Sequence, residues 1–417
     1  MKKIKLGLFG YRRGLDLAKT FTLAGADIVA ICDAHDDRQA RAAEAFSSAK
    51  IYKSFDEFIK HPMDGVILAN YFHEHAPFAI KCMELGIPVF SECIANATMA
   101  EGVALARAAI KYNSIYMLAE NYPFMLFNKE MKKVCDGGTL GKILYAEGEY
   151  NHPVNPYDNG FKKFYNYFEE HWRNYLPRTY YVTHSLAPIM RATGATPKRV
   201  CAFPVFDPFV GDDIPTASYS GDKLAVIMSQ NDDGSVFKFT GCAAMGAHHN
   251  AYRIAGTNGT IENVRGTDGK IMLRYNDWCI PEGMQEINYY IPDWNDKDEE
   301  LITKTGHGGG DYLVCREFLD CIRENRQPDF PFDVFSAINM ASVAILAHRS
   351  VLTGGTPYDI PDFRCDADCL KYENDYESPF YYPDGRKPNI PCCSRPDFKP
   401  TAAQVRCFRK EILGEKE

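Results

Sequence analysis

From residue 4 the chain alternates short apolar runs with longer segments that repeat apolar side chains every three to four positions. The runs at 4–9, 27–32, 65–69, 88–91 and 114–118 predict strands, and the segments at 15–23, 38–46, 76–85 and 100–112 predict helices. Strands that read as continuous apolar runs are buried on both faces, which predicts a doubly wound parallel α/β sheet. Near residue 123 the rhythm changes. One more helix is predicted at 127–135, ended by Gly137 and Gly138. Closely spaced strands follow at 143–150, 199–203, 224–230, 235–243, 252–256 and 260–264, with a hairpin signal at Asp232, Asp233 and Gly234. That pattern predicts a large, mostly antiparallel sheet with helices at 312–325 and 334–352 on one face. From 363 the chain is proline-rich and aperiodic until a short helix near 402–412. The expected organisation is a dinucleotide-binding domain over 1–122, a substrate-binding α/β domain over 123–362, and a C-terminal arm over 363–417.

Composition narrows the classes. The chain has 417 residues, 46% hydrophobic and 24% charged, so it is expected to be globular and to hold more than one core. Its 47 basic and 55 acidic residues give a net charge of −8, which argues against an extended nucleic-acid surface. No apolar run approaches the roughly 20 residues that span a bilayer. The start, MKKIKLGLFGYRRG, reads as a first strand rather than a signal peptide. The 14 cysteines follow no framework spacing and read as reduced thiols in a cytoplasmic protein.

A strand, a glycine turn, a helix and an acidic residue closing the second strand form a dinucleotide-binding arrangement. Here the turn runs from Gly10 to Gly14, and Asp33 closes the second strand. A carboxylate there bonds a ribose 2′-hydroxyl and repels a 2′-phosphate, so NAD is favoured over NADP. Arg12 stands where the middle glycine of the motif belongs, and Arg12 or Arg13 is expected to face the phosphates. Tyr150 and His152 are two apart on a predicted strand and therefore share a face. His184 opens a helical stretch, and Glu120 and Asn121 end a parallel strand, where ligands bind in such sheets.

The strings GVILANYFHEH at 65–75 and ELGIPVFSE at 84–92 resemble the Gfo/Idh/MocA oxidoreductases. That resemblance implies an N-terminal Rossmann domain joined to a C-terminal domain with an open antiparallel sheet. It places Asn70, His75, Glu92 and Asn121 beside the cofactor. Most members carry Glu-Lys-Pro where this chain has Glu92, Cys93 and Ile94, so the lysine that assists hydride transfer is missing. Five further strings, LAENY at 118–122, AEGEYNH at 146–152, WR at 172–173, YVTHSLAP at 181–188 and GHGGGDY at 306–312, resemble the NAD-dependent α-N-acetylgalactosaminidase branch, which also lacks it. The chemistry so implied is oxidation of a sugar at C3, loss of the C2 proton with the C1 substituent, addition of water, and reduction by the stored hydride.

Under that resemblance Tyr150, His152, His184 and Glu120 are the expected catalytic groups, and Trp172, Arg173, Tyr181 and His307 the expected sugar contacts. The aromatic-rich stretch 161–168 reads as a sugar lid or an oligomer contact. No metal is required, and the expected partners are a small sugar or glycoside and a second copy of the chain. Two other readings stay open: a sugar 3-dehydrogenase that releases the keto product, and an inactive member that binds nucleotide or sugar.

Overall fold

In a computed structural model of the chain, residues 3–158, 168–267 and 269–415 are described. The expected stretch 161–168 lies outside them except for Phe168.

The N-terminal strands are β1 (Lys5–Phe9), β2 (Asp27–Cys32), β3 (Lys50–Tyr52), β4 (Gly65–Leu68), β5 (Val89–Ser91) and β6 (Tyr116–Leu118). They form a sheet in the order β3-β2-β1-β4-β5-β6, and every pairing is parallel. All four residues of β4 are buried, as expected of a strand covered by helices on both faces. The helix Met99–Tyr112 begins at a capping box in which Thr98 and Glu101 satisfy each other's backbone N–H groups, and it stops at Asn113 in the left-handed conformation.

The second sheet contains β7 (Ile143–Asn151), β8 (Pro197–Phe206), β9 (Asp222–Asn231), β10 (Val236–Ala243), β11 (His249–Gly256), β12 (Gly259–Asn263), β13 (Ile271–Tyr275), β14 (Ile287–Tyr290) and β15 (Tyr358–Asp359). Its order is β14-β13-β12-β11-β7-β10-β9-β8-β15, antiparallel except where β10 runs parallel to β7. The sequence pattern did not single out β3, β13, β14 or β15. These strands are two to five residues long, too short for a period-2 signal.

Two helices differ in kind from their surroundings. Gly310–Glu324 comes late in the chain yet packs in one cluster with Leu6, Phe21 and Phe90 of the first domain. Val334–Leu352 is long and apolar enough, by length and composition, to cross a membrane, although Ser336, Asn339, Ser342, His348, Arg349 and Ser350 interrupt its apolar run. It lies almost wholly inside the core, its start fixed by Asp333 accepting from the N–H groups of Phe335 and Ser336.

Candidate active site

The first helix spans Tyr11–Leu23 and begins directly at Gly10, four residues earlier than the hydrophobic spacing suggested. Gly10 has φ +92°, and a side chain there would stand 2.3 Å from the Ala69 carbonyl oxygen, so only glycine lets β1 and β4 approach this closely. Gly14 therefore lies in the first turns of the helix rather than in a loop. It packs against β1, where an added Cβ would come within 2.5 Å of Leu8. That is a helix–strand contact, not the phosphate contact expected for it. The helix has no acidic residue of its own in its first turn and Gly10 offers no side-chain cap, so its dipole favours an anion at this end, where the Asp33 carboxylate accepts the Tyr11 N–H.

A cleft of about 560 Å³ opens at this point, between the ends of the first-domain strands and the second domain. Asp33 is almost fully buried at its edge and accepts from the N–H groups of Tyr11 (2.8 Å) and His35 (3.0 Å). Arg38 stands 3.6 Å from the same carboxylate and also lines the cleft; the sequence offered only its place in the helix after Asp33 as a signal. The two arginines separate in role. Arg12 faces the cleft, and its pKa falls to about 10 through burial and the positive charges of Arg173, Arg38 and Arg41. Such a cluster is stabilised by a bound anion. Arg13 is committed to the protein: Nε donates to Glu92 (3.1 Å) and Nη2 to Asp311 (2.8 Å), and these carboxylates raise its pKa against the effect of burial.

Asn70 reaches the cleft, and its buried Oδ1 has no hydrogen-bond partner within the protein. His75 does not reach it. It is 1% exposed, its Nδ1 bonds the Ile94 carbonyl at 2.8 Å, and burial lowers its pKa to about 4. Asn121 is also buried outside the cleft lining, donating to Asp311 at 2.7 Å. Asp311, which the sequence reading left without a role, thus gathers Arg13, Asn121 and the His307 ring (2.9 Å). Burial opposes ionisation of Asp311, but its bonds to His307 and Arg13 prevail and hold the carboxyl well below the usual range. His307 in turn lines the cleft.

The reacting groups converge at the other end. Glu120 lies just past β6 and is fully buried; His184 is the second residue of the helix Thr183–Thr193. The His184 Nδ1 stands 2.9 Å from both Glu120 oxygens. Burial tends to raise the Glu120 carboxyl, but its attraction and hydrogen bond to His184 outweigh this and leave it lowered. The other side of His184 faces the cleft among aromatic rings: Tyr122 stacks on it at 4.0 Å, and Tyr150 and Tyr181 meet it edge-on at 4.8 and 4.9 Å.

Cys93, in the position of the family lysine, donates to Glu120 (3.3 Å) and accepts from Thr183 (3.2 Å). Burial and the neighbouring carboxylates push its pKa far up, so it stays a neutral thiol. Burial and the adjacent Tyr122 and Tyr181 likewise raise Tyr150, keeping its phenol protonated. His152 sits 5.9 Å from Tyr150 ring to ring, on the shared face the strand spacing predicts. Its pKa is lowered by burial and by His248, whose ring lies at 4.5 Å. Trp172 is less available to a sugar than expected: its ring stacks on Phe72 at 4.9 Å and carries the Arg173 guanidinium at 4.4 Å. Arg173 and Tyr181 line the cleft with it. His171 and Glu74 also reach the cleft without having been singled out; burial and Glu101 raise Glu74 to about 7.

Residues 4–120 match the NAD-binding Rossmann fold of the oxidoreductase family Gfo/Idh/MocA, and residues 219–367 match the glycosyl hydrolase 109 C-terminal domain. A glycosyl hydrolase family 109 protein of Shewanella sp. (strain MR-4) is 24% identical over 403 residues, covering 87% of this chain and 85% of that one. A family 109 protein of Stenotrophomonas maltophilia is 21% identical, covering 88% and 90%. Among solved structures, levoglucosan dehydrogenase in complex with NADH and levoglucosan superposes with a TM-score of 0.72 at 18% identity, over 87% of this chain and all of that one. An oxidoreductase from Agrobacterium radiobacter in complex with NAD+, L-tartaric acid and magnesium gives 0.65 at 14% identity, over 86% and 98%. These two share the fold.

Proposed function

We propose that this chain, a Gfo/Idh/MocA oxidoreductase by its NAD-binding Rossmann fold and a relative of the glycosyl hydrolase 109 proteins by its C-terminal domain, processes a glycoside by transient oxidation at C3 followed by elimination. The residues present fit the cofactor. The helix N-terminus and Arg12 suit a pyrophosphate, Asp33 suits ribose hydroxyls, and the unpartnered Asn70 oxygen offers a further acceptor. Bound there, NAD supplies a hydride acceptor for the sugar C3 and later returns that hydride.

The chain's own groups move the protons. His184, with Nδ1 turned to a lowered carboxylate, presents Nε2 to the cleft as the acceptor for a sugar hydroxyl proton, and Glu120 stabilises the imidazolium that results. His152, neutral at pH 7, is the acceptor for the C2 proton. Tyr150, held as a phenol, donates: it steadies a developing oxyanion or protonates the departing group. Arg13, through Glu92 and Asp311, fixes the floor of the cleft and the His307 ring.

The observation that carries this reading is Cys93. A neutral thiol bonded between Glu120 and Thr183 cannot relay a proton as the missing lysine would, so the task falls to the buried His184–Glu120 pair. Incubation with a panel of α- and β-aryl glycosides, following free aglycone and NADH absorbance together, tests it. Aglycone release without net NADH supports the proposal. Stoichiometric NADH with a stable keto sugar would select a dehydrogenase instead.

A further inference from the structure

The match to the glycosyl hydrolase 109 domain stops at residue 367, and the arm continues beyond it. The arm is firmly docked. Phe380 packs on Phe72 and Tyr180, Asp375 pairs with Arg349 at 2.6 Å, and Ser394 donates to Asp222 through N and Oγ at 2.8 and 2.5 Å. It ends in the helix Ala402–Glu411, which opens with a Thr401–Gln404 capping box. The Gln404 side chain donates to the carbonyls of Phe209 and Gly211, both at 3.1 Å. Phe408 and Ile412 are buried with Ala217, and Leu413 packs on this small cluster. Arg409 binds Glu169 at 2.5 Å, beside Phe168.

This anchoring has one consequence at the cofactor end. A second cleft of about 540 Å³ shares Arg12, His35, Arg38 and Tyr71 with the first, so the two adjoin along these side chains, next to Asp33. Leu413 and Phe168 line that second cleft and not the first. A dinucleotide with its pyrophosphate at the Gly10 turn and a ribose at Asp33 would extend its adenine toward this second space. A wall supplied by the far C-terminus therefore faces the adenosine half and leaves the nicotinamide half untouched.

We propose that the C-terminal helix is a clasp on the adenosine end of the coenzyme, with Leu413 and Phe168 forming its apolar rim and the Arg409–Glu169 pair holding the rim in place. It slows release of a coenzyme that gives and regains its hydride within one turnover. The proposal rests on NAD binding as argued above.

The test compares three ligands by calorimetry on the full chain and on a chain ending at Thr401: NAD+, ADP-ribose and nicotinamide mononucleotide. The truncated chain should bind NAD+ and ADP-ribose about tenfold or more weakly, the size expected for losing some tens of Å² of apolar cover. Nicotinamide mononucleotide should bind both chains within about twofold. The double variant Arg409→Ala/Leu413→Ser should show the same split and serves if the truncated chain does not fold. Unchanged NAD+ and ADP-ribose affinity, or equal weakening of all three ligands, overturns the clasp. Failure of the full chain to bind NAD+ or ADP-ribose overturns the cofactor reading itself, and the clasp with it.

Discussion

Glu120→Gln is the substitution that separates the His184–Glu120 pair from every other reading of the cleft. Glutamine keeps an acceptor for the Tyr122 N–H, which bonds Glu120 Oε1 at 3.2 Å, and nearly keeps the volume. It changes two things at His184. The charge is gone, so an imidazolium formed during proton transfer loses its counter-ion. The amide N–H₂ also offers a donor to Nδ1 and so favours the ring form with its proton on Nε2, where the substrate proton must arrive. Two unit charges about 4 Å apart are worth about 4 kcal/mol at an effective dielectric constant near 20, the setting for a wholly buried carboxylate beside a cleft. At roughly 1.4 kcal/mol per tenfold in rate, and allowing for the remaining amide dipole, kcat should fall between about 10² and 10³-fold. Glu120 does not line the cleft, so NAD+ affinity by calorimetry should stay within about twofold. Steady-state release of aglycone from the best aryl glycoside is the assay. Turnover within about threefold of the parent, with folding and NAD+ binding intact, would refute the proton-acceptor role of the pair.

Three further outcomes are expected. Turnover in D₂O should place deuterium at C2 of the released sugar while deuterium initially at C3 is retained; mass spectrometry showing no C2 label would leave direct hydrolysis by carboxylates instead. The pH profile follows from His152: a folded pKa lowered by burial and by His248 means the neutral base persists below the ordinary histidine value of about 6.5, so the acid limb of kcat lies beneath it. His248→Ala removes the smaller of those two causes and should move the limb to higher pH; an unmoved limb would assign it to another group. Asp33→Ala frees Arg38, 3.6 Å away, and should cost about tenfold in NAD+ affinity while narrowing the preference over NADP+; calorimetry showing an unchanged ratio would remove Asp33 from ribose recognition.

The sequence by itself determined the layer architecture, because burial leaves a local trace. Strands covered on both faces, such as β4, must be apolar throughout, and the helices between them must repeat every three to four residues. Gly10 and Asp33 were legible for the same reason: backbone torsion and strand position impose them locally. The pairing of Tyr150 with His152 followed from the two-residue period of a strand. What the tertiary structure decided is everything that depends on residues distant in the chain. His184 and Glu120 are 64 positions apart, and only the docking of the helix Thr183–Thr193 onto the end of β6 makes them one group. Arg12 and Arg13 are neighbours of equal chemistry and both border the cleft, yet a helix turns adjacent residues by about 100°, so Arg13 alone is tied to Glu92 and Asp311, 79 and 298 positions away. His75 and Asn121 stood in the right motifs, but their side chains found partners inside the core. Ahead of its final helix the arm shows no period, because its position is set by single hydrogen bonds and rings taken one at a time from both domains, and such contacts leave no pattern along a chain.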